Sequence, residues 1–329
     1  MKRSWQPAPV AGERQLYRDR IEWRRYGRFL PQHMQLRGAN VPEESWWNWH
    51  GIDVHVDRLS NPEARAVVVL LHGGGGNGRV VMLLGPLLCS LGVEVVAPDL
   101  PGYGLTERPA GLVPTYDMWA DLAADFAREE GRRRSLPVFV FGLSIGGFLA
   151  YGAAARTKSI AGVIASTLVD TRVKPSFAHI ARFPKLARLA APLLRMIPPP
   201  LERLRVPIRF VSKLHYITND PDFSSVFARD ALGGGASVAL GFLASLARFD
   251  IRVEPEEFTD TPVLVVHPAL DPWTPAELSR PFFKRIAAEK YWVDLQGCGH
   301  LPYEEPGVHQ MTEAVSSFLT SRDLRRPSS

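Results

Sequence analysis

Three features of this 329-residue sequence predict an α/β fold with a mostly parallel central sheet flanked by helices. Short β-branched runs alternate with helix-period segments, the pattern of βαβ units. Glycine-rich turns directly follow several of those runs, where an open α/β sheet places its ligands. One stretch of about ninety residues, from near Ala165 to Val263, holds no convincing strand and breaks the alternation. Composition agrees with a folded globular chain, at 46% apolar and 22% charged residues.

The elements follow in order. Residues 46–58 read as an antiparallel pair, with Trp47 and Trp49 on one side of a His50-Gly51 turn and Ile52, Val54 and Val56 alternating on the other. Strands are then expected at 67–71, 93–97, 138–141, 160–165, 263–267 and 291–293. The intervening helices are expected at 79–91, 116–133, 145–156, 275–288 and 306–321. A structureless loop of ninety residues is improbable in a compact domain. The stretch therefore predicts a mainly helical cap, or lid, inserted after the sixth strand. The resulting division is an N-terminal extension (1–44), a first core part (45–170), the cap (171–255), a second core part (256–322) and a flexible tail (323–329).

Charge is concentrated in the cap. Between Thr171 and His215 ten lysines and arginines are opposed only by Glu202, although the whole chain carries a net charge of just +5. Leu186, Leu189, Leu193, Leu194 and other apolar residues are interleaved with the charges, which suits transient contact with an anionic membrane surface. An amphipathic cap with a solvated basic face is the plainer alternative. No helix-turn-helix, zinc-finger or RNA-platform signature accompanies the patch, so nucleic acid is not expected as a partner.

No apolar run reaches the ~20 residues a membrane-spanning helix needs; the strongest, Val67 to Leu71, stops at His72. Met1 to Arg20 lacks the apolar core of a secretory signal. Two cysteines, Cys89 and Cys298, are too few for a disulfide scaffold or a cysteine-rich zinc module. These features predict a soluble protein of the reducing cytoplasm.

The segment from Leu71 to Arg79, with glycines at 73–76 and 78, follows a strand and opens a helix. A Walker-A reading fails, because Arg79 and Val80 stand where the phosphate lysine and the magnesium-binding hydroxyl belong. A dinucleotide fingerprint fits Gly73, Gly75 and Gly78, with Asp99 at the distance of a ribose-binding acid. An oxyanion loop, whose glycines let backbone N–H groups approach a developing negative charge, fits equally well.

A second motif favours the oxyanion loop. Gly142-Leu143-Ser144-Ile145-Gly146 lies between the strand at 138–141 and a helical segment, the strand–turn–helix context that lifts a serine hydroxyl clear of a sheet. Such a serine needs a base, and the base an orienting acid. His300 lies in a glycine-flanked loop after the last predicted strand, and Asp271 follows the strand at 263–267. The chain order Ser144, Asp271, His300 is that of the nucleophile-elbow hydrolases. Asp170, which also closes a strand, competes with Asp271 for the acid. Cys298 beside His300 is expected to fill its loop rather than react.

These residues give the chain its likeness to a family. His72-Gly73-Gly74, Asp99 with Pro101 to Gly104, Gly142 to Gly146, Asp271 and Gly299-His300 resemble the α/β-hydrolase superfamily. The branch is that of serine hydrolases: esterases, monoacylglycerol lipases, lysophospholipases and serine-aminopeptidase-like proteins. The resemblance covers about residues 45–170 and 255–320. It implies an oxyanion hole from the N–H of Ile145 and of Gly73 or Gly74. It makes Asp99 part of a turn beside the active-site floor rather than a ribose ligand. Leu143 stands where the family often has His or Trp. Serine at 144 separates the chain from dehalogenases and epoxide hydrolases, which carry aspartate there.

The expected activity is hydrolysis of a lipid-like or short-to-medium acyl ester through an acyl-enzyme on Ser144, His300 and Asp271. That chemistry requires no metal and no organic cofactor. Three rivals remain at this stage. An aminopeptidase-like hydrolase would use the same triad with Glu304 or Glu305 as an acidic subsite. A nicotinamide-dependent oxidoreductase would use Gly73–Gly78, and a non-catalytic receptor would use the fold alone.

Overall fold

The chain enters its sheet through a hairpin. In β1 (Glu43–Trp49) and β2 (Ile52–Leu59) Trp47 pairs with Val54 and Trp49 with Ile52. His50 and Gly51 both take positive φ, 50° and 81°, which matches the twist of a two-residue hairpin turn. The structure is a computed structural model and describes residues 14–20 and 22–323. The expected tail therefore lies outside the described residues, apart from Asp323 at the end of the last helix.

The strands that follow are β3 (Val67–Leu71), β4 (Glu94–Pro98), β5 (Val138–Gly142), β6 (Ile160–Ala165), β7 (Arg205–Pro207), β8 (Ser237–Ala239), β9 (Val263–Pro268) and β10 (Lys290–Leu295). One eight-stranded sheet has the order β1-β2-β4-β3-β5-β6-β9-β10. Every pair from β4 to β10 is parallel; only β1 and β2 run against their neighbours. The central strands β3, β4 and β5 are buried along their whole length, which is why they read as continuous apolar runs and not as alternating ones. Helices Tyr116–Arg134, Ile145–Ala154 and Gly307–Asp323 pack on the sheet. This is the α/β-hydrolase fold that the sequence predicts.

Three details differ from expectation. The helix expected at 79–91 is broken into Gly78–Val81, a 3-10 turn at Met82–Leu84 and Gly85–Cys89. Gly85 packs so tightly that a Cβ there would stand 2.7 Å from Leu59, and Pro86 cannot continue the preceding hydrogen-bond ladder. The stretch without an expected strand contains the antiparallel pair β7–β8, whose three-residue strands are too short to show a period. The N-terminal extension is not separate from the core either. Tyr17, Trp23, Tyr26, Leu30 and Met34 are buried in it, and the expected boundary at residue 44 falls inside β1.

Because β6 pairs directly with β9 (Val163 with Val263), everything between them is an excursion from the sheet. It contains six helices besides β7–β8. The helix Pro184–Arg195 turns Ala191 inward but leaves Leu186 64%, Leu189 76% and Leu193 75% exposed.

Beneath the sheet's first strands lies a buried ionic cluster. The His55 ring lies between Glu44 (Nε2 to Oε2, 3.0 Å) and Asp99 (Nδ1 to Oδ2, 3.2 Å), with Asp57, Arg79 and the Tyr17 ring around it. Burial pushes the imidazole pKa down, but the adjoining carboxylates of Asp99 and Glu44 outweigh it and raise it to about 9. A pKa raised above its unfolded value of about 6.5 stabilises fully below that pH and progressively less as pH rises through about 9. The denaturation midpoint is accordingly expected to fall between pH ~6.5 and ~9. His55→Gln should flatten that fall in urea titrations at the two pH values; an equally steep fall in the variant would contradict the assignment.

Candidate active site

Ser144 sits at the junction of β5 and the helix Ile145–Ala154 in a conformation that L-residues avoid, with φ 58° and ψ −133°. Holding a non-glycine residue there costs about 1–3 kcal/mol. Close packing imposes it. A Cβ at Gly142 would stand 1.8 Å from the Gly146 carbonyl oxygen, and one at Gly146 would stand 2.4 Å from that of Leu71. Only glycine permits both approaches. The serine backbone is also fixed from β6: the Ser144 N–H donates to Ser166 Oγ and Thr167 Oγ1 donates to the Ser144 carbonyl, both at 2.9 Å.

The structure brings together the three side chains that the sequence singles out. Ser144 Oγ lies 2.8 Å from His300 Nε2, and His300 Nδ1 lies 2.8 Å from Asp271 Oδ2. They follow β5, β9 and β10, at the carboxyl ends of three parallel strands. The Asp271 carboxylate also accepts from the Trp273 and Thr274 amides at 2.8 and 3.0 Å and from Thr274 Oγ1. Burial pushes its pKa up, yet the adjoining imidazole and these hydrogen bonds hold it well below the usual carboxylate range. An ionised carboxylate only accepts, so His300 carries its proton on Nδ1 and turns the Nε2 lone pair to the serine hydroxyl. The Trp273 ring lies against the imidazole at 4.5 Å and limits its rotation.

Asp170 is engaged elsewhere. It accepts from the Arg172 guanidinium at 2.8 and 3.0 Å, and no hydrogen bond joins it to His300 among the described residues. Cys298 is buried with its thiol donating to the Glu304 carbonyl, and burial pushes its pKa up to about 12. Glu304 accepts from the Asn219 and Gly299 amides at 2.9 and 3.2 Å and so aligns the His300 loop. Glu305 caps the His309 amide.

The glycine loop faces Ser144. A Cβ at Gly73 would stand 2.8 Å from that of Ser144, and Gly74 and Ile145 border the cavity above the hydroxyl. Neither the Gly74 nor the Ile145 N–H is paired with a backbone acceptor among the described residues. The loop is not a dinucleotide site. Asp99 is fully buried, and its oxygens accept from the Gly78 and Leu105 amides at 2.6 and 2.7 Å and from Tyr17 at 3.0 Å. The amide that would meet a pyrophosphate is thus occupied, and no ribose can reach the acid.

His72 is a site residue that sequence reasoning left without a role. Its Nε2 accepts from the Leu100 amide and its Nδ1 donates to the Gly73 carbonyl, both at 2.9 Å. Burial lowers its pKa, which keeps it in the neutral form these two bonds require. Ser166, Thr167, Trp273 and Thr274 were likewise missed. The signal for the last two was Asp271 followed by Pro272, a turn whose side chain captures the amides two and three residues on.

A cavity of about 270 Å³ opens over Ser144. Its walls come largely from the excursion, including Phe177, Ile180, Leu186, Leu194, Ile208 and Phe242. Among the described residues no aspartate or glutamate lines it, and Arg182 is its only charged residue.

The sequence model of the serine aminopeptidase family S33, a hydrolase family, matches residues 62–307, three-quarters of the chain. The chain belongs to that family. This S33-family hydrolase is similar to "Phospholipase YtpA" of Bacillus subtilis, being 26% identical over 77% of this chain and 94% of that protein. It also shares its fold with the monoacylglycerol lipase of Paleococcus ferrophilus (24% identity, 82% of this chain and 99% of that one, TM-score 0.64). A soluble variant of the Saccharomyces cerevisiae monoglyceride lipase aligns over 86% of this chain and 96% of its own at 18% identity, with a TM-score of 0.69. Among the described residues no helix is long and apolar enough to cross a membrane.

Proposed function

We propose that this S33-family hydrolase cleaves carboxylic esters with an apolar acyl group, and that Ser144, His300 and Asp271 are its catalytic triad. The observation that carries this reading is the hydrogen-bonded chain from Asp271 through His300 to Ser144 Oγ, opening into an apolar cavity. His300 Nε2 takes the serine proton as Oγ attacks the ester carbonyl, and Asp271 steadies the imidazolium. The N–H groups of Ile145 and of Gly73 or Gly74 hold the tetrahedral oxyanion, and one such donor is worth about 10²–10³ in rate. His300 then gives its proton to the departing alkoxide, leaving an acyl-enzyme. Water, deprotonated by the same imidazole, releases the acid and restores Ser144.

The cavity favours esters over aminopeptidase substrates. A substrate's free ammonium needs a carboxylate to replace its hydration, and Glu304 and Glu305 are both engaged outside the cavity. The name of the Bacillus subtilis relative, a phospholipase, fits a lipid-like ester. Nitrophenyl acyl esters and amino-acid nitroanilides assayed in parallel decide the matter. Turnover of esters without the anilides is expected; preferential anilide cleavage would overturn the reading.

We further take residues 171–255 to act as a cap that meets an anionic lipid surface. Its exposed leucines supply the apolar face, and the ten-to-one excess of basic over acidic residues between Thr171 and His215 supplies the attraction. The two free cysteines fit work in the reducing cytoplasm. Raising ionic strength from about 0.1 M to 1 M shortens the screening length from about 10 Å to 3 Å and should release the protein from phosphatidylglycerol vesicles. Leu189→Asp should weaken binding at low salt. Binding indifferent to both changes would contradict the assignment.

A further inference from the structure

The oxyanion loop is closed within itself by the Gly76 N–H donating to the Gly73 carbonyl at 3.1 Å. Gly73 to Gly76 are four consecutive glycines, each free to visit backbone conformations closed to other residues. Donors that stabilise a transition state must nevertheless be held in place before it forms. Further constraint comes from the loop's ends. Upstream, His72 ties Gly73 to Leu100. Downstream, the Gly78 amide is held by Asp99 at 2.6 Å, and the next residue is Arg79.

Arg79 is almost fully buried, which is rare for an arginine and demands compensation. Its guanidinium donates to both oxygens of Asp57 at 2.5 and 2.8 Å and lies 3.2 Å from Glu44. The rings of Tyr17 and Trp23 lie 4.8 and 4.7 Å from it. Glu44 in turn accepts the Tyr17 and Arg18 amides at 2.7 and 2.9 Å. Tyr17 completes the circuit by donating its hydroxyl to Asp99 Oδ2 at 3.0 Å. Glu44, His55 and Asp57 bring potential metal-ligand atoms within 4.8 Å of one another, but Glu44 and Asp57 are already paired with Arg79, and Glu44 also with His55. The cluster is an ion-pair anchor.

The same segment reaches the loop's other side. Tyr26 donates to Asp230 at 2.8 Å, and Asp230 organises the turn at Gly233 to Gly235 by accepting the Leu232, Gly233 and Gly235 amides. That turn backs Gly75, and the Leu232 carbonyl accepts from Asn77 Nδ2 at 3.0 Å. Tyr17, Trp23 and Tyr26 all lie outside the residues that match the family, 62–307.

We infer that residues 14–20 and 22–44 act as a strap that holds the oxyanion loop in register with Ser144, with Tyr17 as its principal positioning residue and Arg79 and Asp99 as its anchor points. This rests on the ester-hydrolase reading above. The strap touches neither substrate nor reacting atoms; it acts through the placement of the Gly73 and Gly74 amides.

The test is the phosphonylation of Ser144 by an alkyl fluorophosphonate, resolved into KI and kinact, in the full chain carrying Tyr17→Phe, Tyr17→Leu or Arg79→Lys. Intact mass gives the labelled fraction. Tyr17→Phe loses only the bond to Asp99, whereas Tyr17→Leu also loses the ring over Arg79. The expected result is full labelling and unchanged KI, with kinact reduced about tenfold for Tyr17→Phe and further for Tyr17→Leu, as displaced rather than deleted donors require. A merely structural role would lower the labelled fraction while leaving kinact of the folded molecules as in the wild type. That outcome, or a kinact within about twofold of wild type, overturns the inference. Tyr17→Phe alone decides should the other two variants fail to fold. If the wild-type Ser144 is not phosphonylated, the ester-hydrolase reading itself fails, and this inference with it.

Discussion

Ser144→Ala is expected to lower kcat on a nitrophenyl ester by about 10⁶-fold with the fold unchanged. The size follows from removing the only group whose oxygen forms the covalent bond; what survives is the contribution of substrate binding and the oxyanion donors, about 10³–10⁴ over water. The fold survives because the serine's unusual backbone is held by its surroundings. Ser166 Oγ and Thr167 Oγ1 bond to backbone atoms of residue 144, and the close approaches at Gly142 and Gly146 are equally indifferent to a hydroxyl. Alanine also keeps the Cβ that packs against Gly73. Circular dichroism and the thermal midpoint should match the parent. A variant that retains more than about one-hundredth of the activity would exclude Ser144 as the nucleophile.

Asp271→Asn is expected to cost about 10⁴ in kcat while changing geometry little. The Trp273 and Thr274 amides still find an acceptor in the asparagine carbonyl oxygen. The amide nitrogen, however, now faces His300 Nδ1 and donates where the carboxylate accepted. The imidazole is driven to the tautomer with its proton on Nε2, pointing at Ser144 and unable to take the serine proton. Asp170→Asn is the informative control. Asp170 bonds Arg172, so its replacement should leave kcat within a few-fold of the parent. Equal losses in the two variants would show that Asp271 has no particular link to the imidazole.

The site was legible in the sequence to the extent that its causes are local. The elbow around Ser144 is specified by glycines within a few residues of it, and the placement of Asp271 and His300 follows from the turns directly after β9 and β10. The alternating pattern likewise exposed the central strands, because continuous burial leaves an uninterrupted apolar run. The choice of Asp271 over Asp170 was harder. Both follow strands, and only the Arg172 side chain, two residues from Asp170, shows why one of them is occupied.

What the sequence concealed depends on distant partners. His72 bonds Leu100, and Glu304 bonds Asn219, contacts that no spacing rule anticipates. The buried role of the N-terminal segment was hidden for the same reason. Tyr17, Trp23 and Tyr26 follow no strand period; the first two pack on Arg79, a charge that would ordinarily be placed at the surface, and Tyr26 on the distant Phe223 and Asp230. The pair β7–β8 was missed because three-residue strands held by an excursion carry no alternation of their own. Asp99 was misleading in a different way: its spacing from Gly78 suits a ribose ligand, but it reaches back to the Gly78 amide instead.

In the proposed mechanism the Ser144 hydroxyl forms a covalent bond with the substrate carbonyl carbon under the control of His300. Treating the active protein with a fluorophosphonate and locating the adduct by peptide mass spectrometry tests it most directly. One adduct per chain is expected, on the peptide containing Gly142 to Gly147, with activity lost in proportion and no adduct in Ser144→Ala. An adduct on any other residue, or full ester turnover by a protein that takes up no label, would contradict it.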